Sequence, residues 1–329
     1  MPLTLKHLRS CRSALIAAIV CGIAASLSAE EVSQAVATSM KSEITLASAI
    51  APANVGVTGP ITLAYKFQPG QFIHYVGSNK VLYSTELGDQ YNISKEHRNP
   101  TNLQSNVTKT HFRVVTVDEQ GNALVEPMVD HTRMTARMHG KPPVEFDSAT
   151  NVNPSPEFQS IRDVIGRRIA RFQVAPTGKL LKAIIIDSTA PQALLTAAEK
   201  LETRFPCLSP MPANPVSVGD KWRDDYSIFA MNHGLKEPMP LRRIFELTSV
   251  IDGVATIKFK TIVMVPVSDT EIEKQLAQQT PSGVIEFDVE RGLVRSYTST
   301  VNRTIMNAFG AQSLLRVAGE ATERLDSIQ

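Results

Sequence analysis

Disulfides are excluded as the source of stability. The chain has three cysteines in 329 residues, and only Cys207 lies beyond position 21. A lone thiol closes no internal bridge, so even in an oxidising compartment the core must hold the fold. Free Cys is among the most buried residue types, and Cys207 is expected to be a small apolar core residue. An excess of one charge is also missing. Lys and Arg number 34 against 32 Asp and Glu, and without the three basic residues ahead of position 30 the balance is 31 to 32. Nothing is left over to track a phosphate backbone, so no nucleic-acid partner is expected. The chain also lacks a Gly-x-Ser-x-Gly elbow, a Gly-rich phosphate loop and a dinucleotide fingerprint.

What is present begins with Lys6, Arg9 and Arg12, then an apolar stretch from Ala14 to Ala25, then the cleavage-like Ser26-Leu27-Ser28-Ala29. This is the layout of a secretory signal peptide over residues 1–29, and its apolar run is short for a membrane span. An uncleaved N-terminal anchor shares the pattern. Val20 stands where lipidation of Cys21 would want a small residue. Residues 30–59 are rich in Ala, Ser, Thr and Val without an aromatic, and read as a flexible linker. The expected address is the periplasm or cell envelope, or the outside, with membrane contact only through export or an uncleaved signal. Asn92, Asn106 and Asn302 open glycosylation sequons, which matter only in a eukaryotic source.

From Ile61 the chain reads as strands. Ile61 to Phe67 is a short run before the turn pair Pro69-Gly70, and Phe72 to Leu87 continues extended. His111 to Val117 and Ala123 to Met138 form a hairpin around Gly121. In its second arm Thr132, Met134, Ala136 and Met138 alternate with His131, Arg133, Arg137 and His139, so one face is buried and one wet. Helices are predicted from Pro156 onward with Ser155 as N-cap, from Ala190 to Phe205, and over Glu271 to Gln278. Further strands follow: Trp222–Phe229, Arg243–Val250, Val254–Val265, Val284–Val289, Leu293–Ile305 and Ser313–Leu325. Asp252-Gly253 supplies a hairpin turn.

Three fragments recur in order. Gly70-Gln71-Phe72 matches Gly219-Asp220-Lys221-Trp222; the hairpin at Gly121 matches that at Gly253; Phe172-Gln173-Val174 with Gly178-Lys179-Leu180 matches Phe287-Asp288-Val289 with Gly292-Leu293-Val294. Duplication and chance likeness of amphipathic hairpins both account for this. The expected fold is mostly β (α+β), with long antiparallel strands in a curved sheet or half-barrel and two or three helices packed across it. Residues 60–205 and 206–329 would be its two β-rich halves. The framework of Gly219, Trp222, Phe287, Asp288, Gly292, Leu293 and Val294 resembles uncharacterised secreted β-rich bacterial domains. It is more distantly similar to lipoprotein-carrier half-barrels, a resemblance that implies acyl-chain binding in an apolar concavity.

Chemistry is sparse. Ile184-Ile185-Ile186-Asp187-Ser188-Thr189 resembles an aspartic-protease loop, with Phe146-Asp147-Ser148-Ala149 as a near-copy, but Thr189 and Ala149 stand where such loops carry a glycine after Asp-Ser or Asp-Thr. The alternative is that Asp187-Ser188 ends a strand and caps a helix. His131, His139, Met134 and Met138 include copper-type donors, yet strand alternation sends the His and Met pairs to opposite faces. His74, His97, His111 and His233 show no ligand spacing, although a metal site assembled from distant parts of the chain stays open. Glu286 with Asp288, and Asp224 with Tyr226, share strand faces expected to be wet. No catalytic, cofactor-binding or metal residue is assigned, and no cofactor. The expected function is non-enzymatic: an exported envelope protein binding a lipid or other apolar ligand in a β-sheet concavity. The alternatives are a surface-acting structural or interaction module and a hydrolase whose site is built from distant residues.

Overall fold

The computed structural model describes residues 59–88, 99–151, 154, 156–232 and 235–329. The expected signal, most of the expected linker, Ser155, His97, His233 and the Asn92 sequon lie outside them. The strands are β1 (Phe72–Leu87), β2 (Thr101–Val117), β3 (Ala123–Arg137), β4 (Val144–Asp147), β5 (Ala170–Val174), β6 (Leu180–Ile185), β7 (Lys221–Asn232), β8 (Leu235–Ile251), β9 (Val254–Val263), β10 (Ser282–Asp288), β11 (Leu293–Met306) and β12 (Ser313–Ile328). Three helices are described: α1 (Pro156–Arg162), α2 (Gln192–Glu199) and α3 (Thr270–Leu276).

All strands join one curved, unclosed antiparallel sheet in the order β6-β5-β3-β2-β1-β12-β11-β10-β9-β8-β7, with β4 beside β3. The mostly β class and the packed helices are as the sequence predicts. Read from β7, the order runs through β11 to β12 and on through β1 to β6, so both halves follow one direction and β12 joins them. The strands of the two series hold equivalent places in the sheet order. The halves therefore share one sheet and one core.

Alternation gives each strand an inner and an outer face. In β9, Ala255, Ile257, Phe259 and Thr261 are buried and lie inward, while Lys258 and Lys260 are exposed. Apolar burial at roughly 25 cal/mol per Å² favours whatever covers such a surface. The expected strand over Ile61–Phe67 is corrected. Only Ile61 bridges, to Val216, and the residues after it cross the inner face as irregular chain. There Leu63, Tyr65 and Phe67 join Phe205, Cys207, Leu208 and Met211 against residues of both halves. The second helix is also shorter than predicted, because Leu201 adopts φ 54° and turns the chain out of the helix, freeing the segment to Phe205 for this crossing. One end of the inner face is thus filled by the chain itself.

Two hairpin turns grip this plug. At the β5–β6 turn, Tyr65 N donates to Pro176 O at 2.7 Å and Met211 N to Thr177 O at 2.8 Å. At the β10–β11 turn, Lys66 N donates to Gly292 O at 3.2 Å and Lys66 Nζ to Val289 O at 3.0 Å. A second, smaller cluster covers the other end of the face, around Val81, Ile305, Leu315 and Val317. The α3 helix reaches from β7 toward β11 there, with its N-cap Asp269 accepting from Glu271 N at 2.7 Å. No described helix is long and apolar enough to cross a membrane, which says nothing of strands.

Candidate functional site

Between the plug and α3 the inner face changes character. The register row Leu247–Ile257–Ile285–Tyr297–Glu323–Gly77–Thr108–Thr132 passes from apolar to polar at its middle. The next row, Phe245–Phe259–Gly283–Ser299–Ala321–Asn79–Asn106, does the same. Gly77, Asn79, Ala321 and Glu323 are half-buried and small or polar. They form a belt with apolar packing on either side.

An aromatic ladder leads into it. Trp222 stacks on Phe245 at 5.4 Å, Phe245 tilts against Phe259 at 6.2 Å, and Phe259 stacks on Tyr297 at 5.2 Å. The ring of Phe259 crosses β10 over Gly283, where a Cβ would lie 2.9 Å from Cε1. Arg243 lies over Phe259 at 5.0 Å and 5.9 Å from the Tyr226 ring, whose face Arg204 also covers at 4.6 Å. Arg243 Nε donates to Thr261 Oγ1 at 3.1 Å. Asp224 sits opposite it in the ladder, yet its ion pair within 4 Å is with Arg204, at 3.5 Å. Among the described residues no carboxylate comes within ion-pair distance of Arg243.

Asp224 and Tyr226 are therefore not on the wet face as predicted. They share the inward alternation of Trp222, which was the signal available in the sequence. Burial pushes the Asp224 carboxyl up, against the pull of Arg204 and Arg243.

Glu323 is the belt's acid. Burial pushes its carboxyl up to about 7, although the Cys207 backbone N–H and thiol both donate to it. Its Oε2 is enclosed and has no hydrogen-bond partner. Cys207 is buried as the sequence predicts, and burial, with Glu323 beside it, holds the thiol in its protonated form well above the ordinary range. A thiol so placed is a poor nucleophile.

The remaining sequence candidates fall elsewhere. Asp187 accepts from Thr189 Oγ1 at 2.7 Å and from Arg167 Nε at 2.9 Å, and these partners hold its carboxyl below the usual range. Asp147 is held low by the Ala149 N–H at 2.9 Å and by His131 Nε2 at 2.8 Å. The two carboxylates are thus held by separate partner sets, Thr189 with Arg167 and Ala149 with His131. Asp187 closes β6 ahead of α2, but Pro191 is the N-cap of that helix and makes no side-chain cap bond. Glu286 stays on the outer face, accepting from Ser296 Oγ at 2.8 Å. His131 and Met134 point to opposite faces, as expected. His74 and His111, which sequence spacing kept apart, are brought together as direct ladder partners on the outer face. A hollow of about 700 Å³ lined by Asp288, Arg291, Arg295, Leu325, Asp326, Ser327 and Ile328 lies toward that face and away from the belt.

The geometry defines a mostly β protein with an open antiparallel sheet and a polar inner belt. No family model and no curated protein matches the chain. Among solved structures it is similar to DynF from the dynemicin biosynthesis pathway of Micromonospora chersina, at 7% identity over 88% of this chain and 93% of that one. The TM-score of 0.18 leaves that likeness without weight in the argument.

Proposed function

We propose that this is an exported, non-enzymatic envelope protein that binds an amphipathic ligand on its inner face, with an anionic head at Arg243. The observation that carries the reading is Arg243: a half-buried guanidinium between two aromatic rings, without a carboxylate at ion-pair distance. A buried cation is costly unless paired, and an incoming carboxylate or phosphate supplies the pair. The half-buried belt adds the Asn79 amide, and the apolar clusters beside it suit a short tail. The export part rests on Lys6, Arg9, Arg12 and the apolar run after them. The likeness to lipoprotein-carrier half-barrels agrees with an amphipathic ligand, with less apolar room than a carrier needs, since the plug fills one end.

A fluorescent long-chain fatty acid and its methyl ester test this. The acid is expected to bind at least about tenfold more tightly than the ester, which is the effect of one charge-assisted pair. Arg243→Gln is expected to erase the difference while the far-UV circular dichroism stays unchanged. Equal affinity for acid and ester in the native chain, or a preference that survives Arg243→Gln, defeats the reading.

A further inference from the structure

The outer face carries a second constellation. His74 on β1 and His111 on β2 are directly opposed, their rings 5.4 Å apart at 45°. Between Val129 and His131 the β2–β3 ladder slips by one residue, and the extra residue is Asp130. Such a bulge re-aims a side chain, and here Asp130 Oδ1 comes within 2.8 Å of His111 Nδ1. One donor atom from each of the three lies within 4.8 Å of the others. His111 is 8% exposed, whereas Asp130 reaches solvent.

A hydrogen-bonded His–Asp pair by itself is ordinary. What it leaves unexplained is His74, whose Nε2 is enclosed and has no partner. Leaving a buried polar atom unpaired costs about 1–3 kcal/mol. We infer that His74, His111 and Asp130 form a binding site for a first-row transition-metal dication such as Zn²⁺. Two imidazoles and one carboxylate are a borderline donor set that suits these ions and leaves a coordination position open. Donors about 2.1 Å from a tetrahedral ion stand about 3.4 Å apart, so closure from within 4.8 Å needs a movement of up to about 1.4 Å, within reach of side-chain rotation. The nearby guanidinium of Arg113 lies over Phe72 and 4.0 Å from Glu126, a carboxylate that Arg168 and Arg171 hold more closely. Ser327, opposite His74 on β12, lines the outer hollow.

The test uses tag-free, chelator-treated full chain titrated with Co²⁺, read by its visible d–d bands, and with Zn²⁺, read by calorimetry. One equivalent is expected to bind, and His74→Gln and Asp130→Asn should each weaken it by at least about tenfold. His131→Gln, which removes the neighbouring His bonded to Asp147, should leave it unchanged. The exposed Asp130 keeps the test decisive should the His74 variant fail to fold. Failure of Co²⁺ and Zn²⁺ to bind at one equivalent, or affinities unmoved by both ligand substitutions, overturns the inference.

Discussion

Glu323→Gln is expected to flatten the pH dependence of stability and to stabilise the fold at pH 8 by about 3 kcal/mol. The ordinary Glu value is 4.5, and burial pushes the folded carboxyl up to about 7. Below the lower value both folded and unfolded chains are protonated, and the group is neutral to stability. Between the two values the unfolded chain ionises first and gains, so stability falls as pH rises. Above about 7 both forms are ionised and the full loss persists. A glutamine keeps the neutral shape throughout. Asp147 and Asp187 act oppositely and lower, since their folded values are depressed: their contribution is present above the usual carboxylate range and is lost in acid. Urea denaturation of both chains from about pH 2 to 8 separates the two windows. A native-minus-variant difference that does not change between pH 4.5 and 7 refutes the assignment.

Replacing Gly178 or Gly292 by alanine is expected to cost about 2–4 kcal/mol each, from backbone strain added to overpacking. Both glycines have positive φ, at 79° and 66°. A Cβ at Gly178 would lie 2.7 Å from the Tyr65 ring and 2.9 Å from Ser209 O. At Gly292 it would lie 2.6 Å from Lys66 N and 2.7 Å from Ala64 O. Both clashes fall on the plug, so the two substitutions should loosen the same segments. Gly219→Ala is the internal control: its φ is 98°, but nothing lies within 4 Å, so only the conformational cost of about 1 kcal/mol remains. Midpoints for Gly178→Ala and Gly292→Ala no lower than that of Gly219→Ala would show that the turns do not hold the plug.

These glycines also mark how far the sequence could be read. Gly178 and Gly292 recur in the two halves, and the hairpins they turn were legible from alternation and turn chemistry. The long strands were legible for the same reason, although β2 extends to Thr101 and β8 to Leu235, beyond the runs with clear alternation. Ile61–Phe67 misled because its apolar residues satisfy strand period equally well when they lie across a sheet. Period two separates two faces without saying which one turns inward when both carry charge, and Asp224 and Tyr226 were lost to that ambiguity. Arg243 gave no local signal, since its surroundings come from β7, β9 and β11. His74 and His111 meet only through the β1–β2 register, and Asp130 joins them only through a slip that no residue pattern announces.

The place of β12 also bears on how the chain comes to be folded. Leu87 finds Ser313, and Ile73 finds Ile328, so one side of β1 has no ladder partner until nearly the whole polypeptide has been made. Pairings this remote in sequence make slow folders, and the waiting strand is a template for unwanted association in the meantime. A nascent chain of this design gains from being kept extended or chaperoned until its last strand is available.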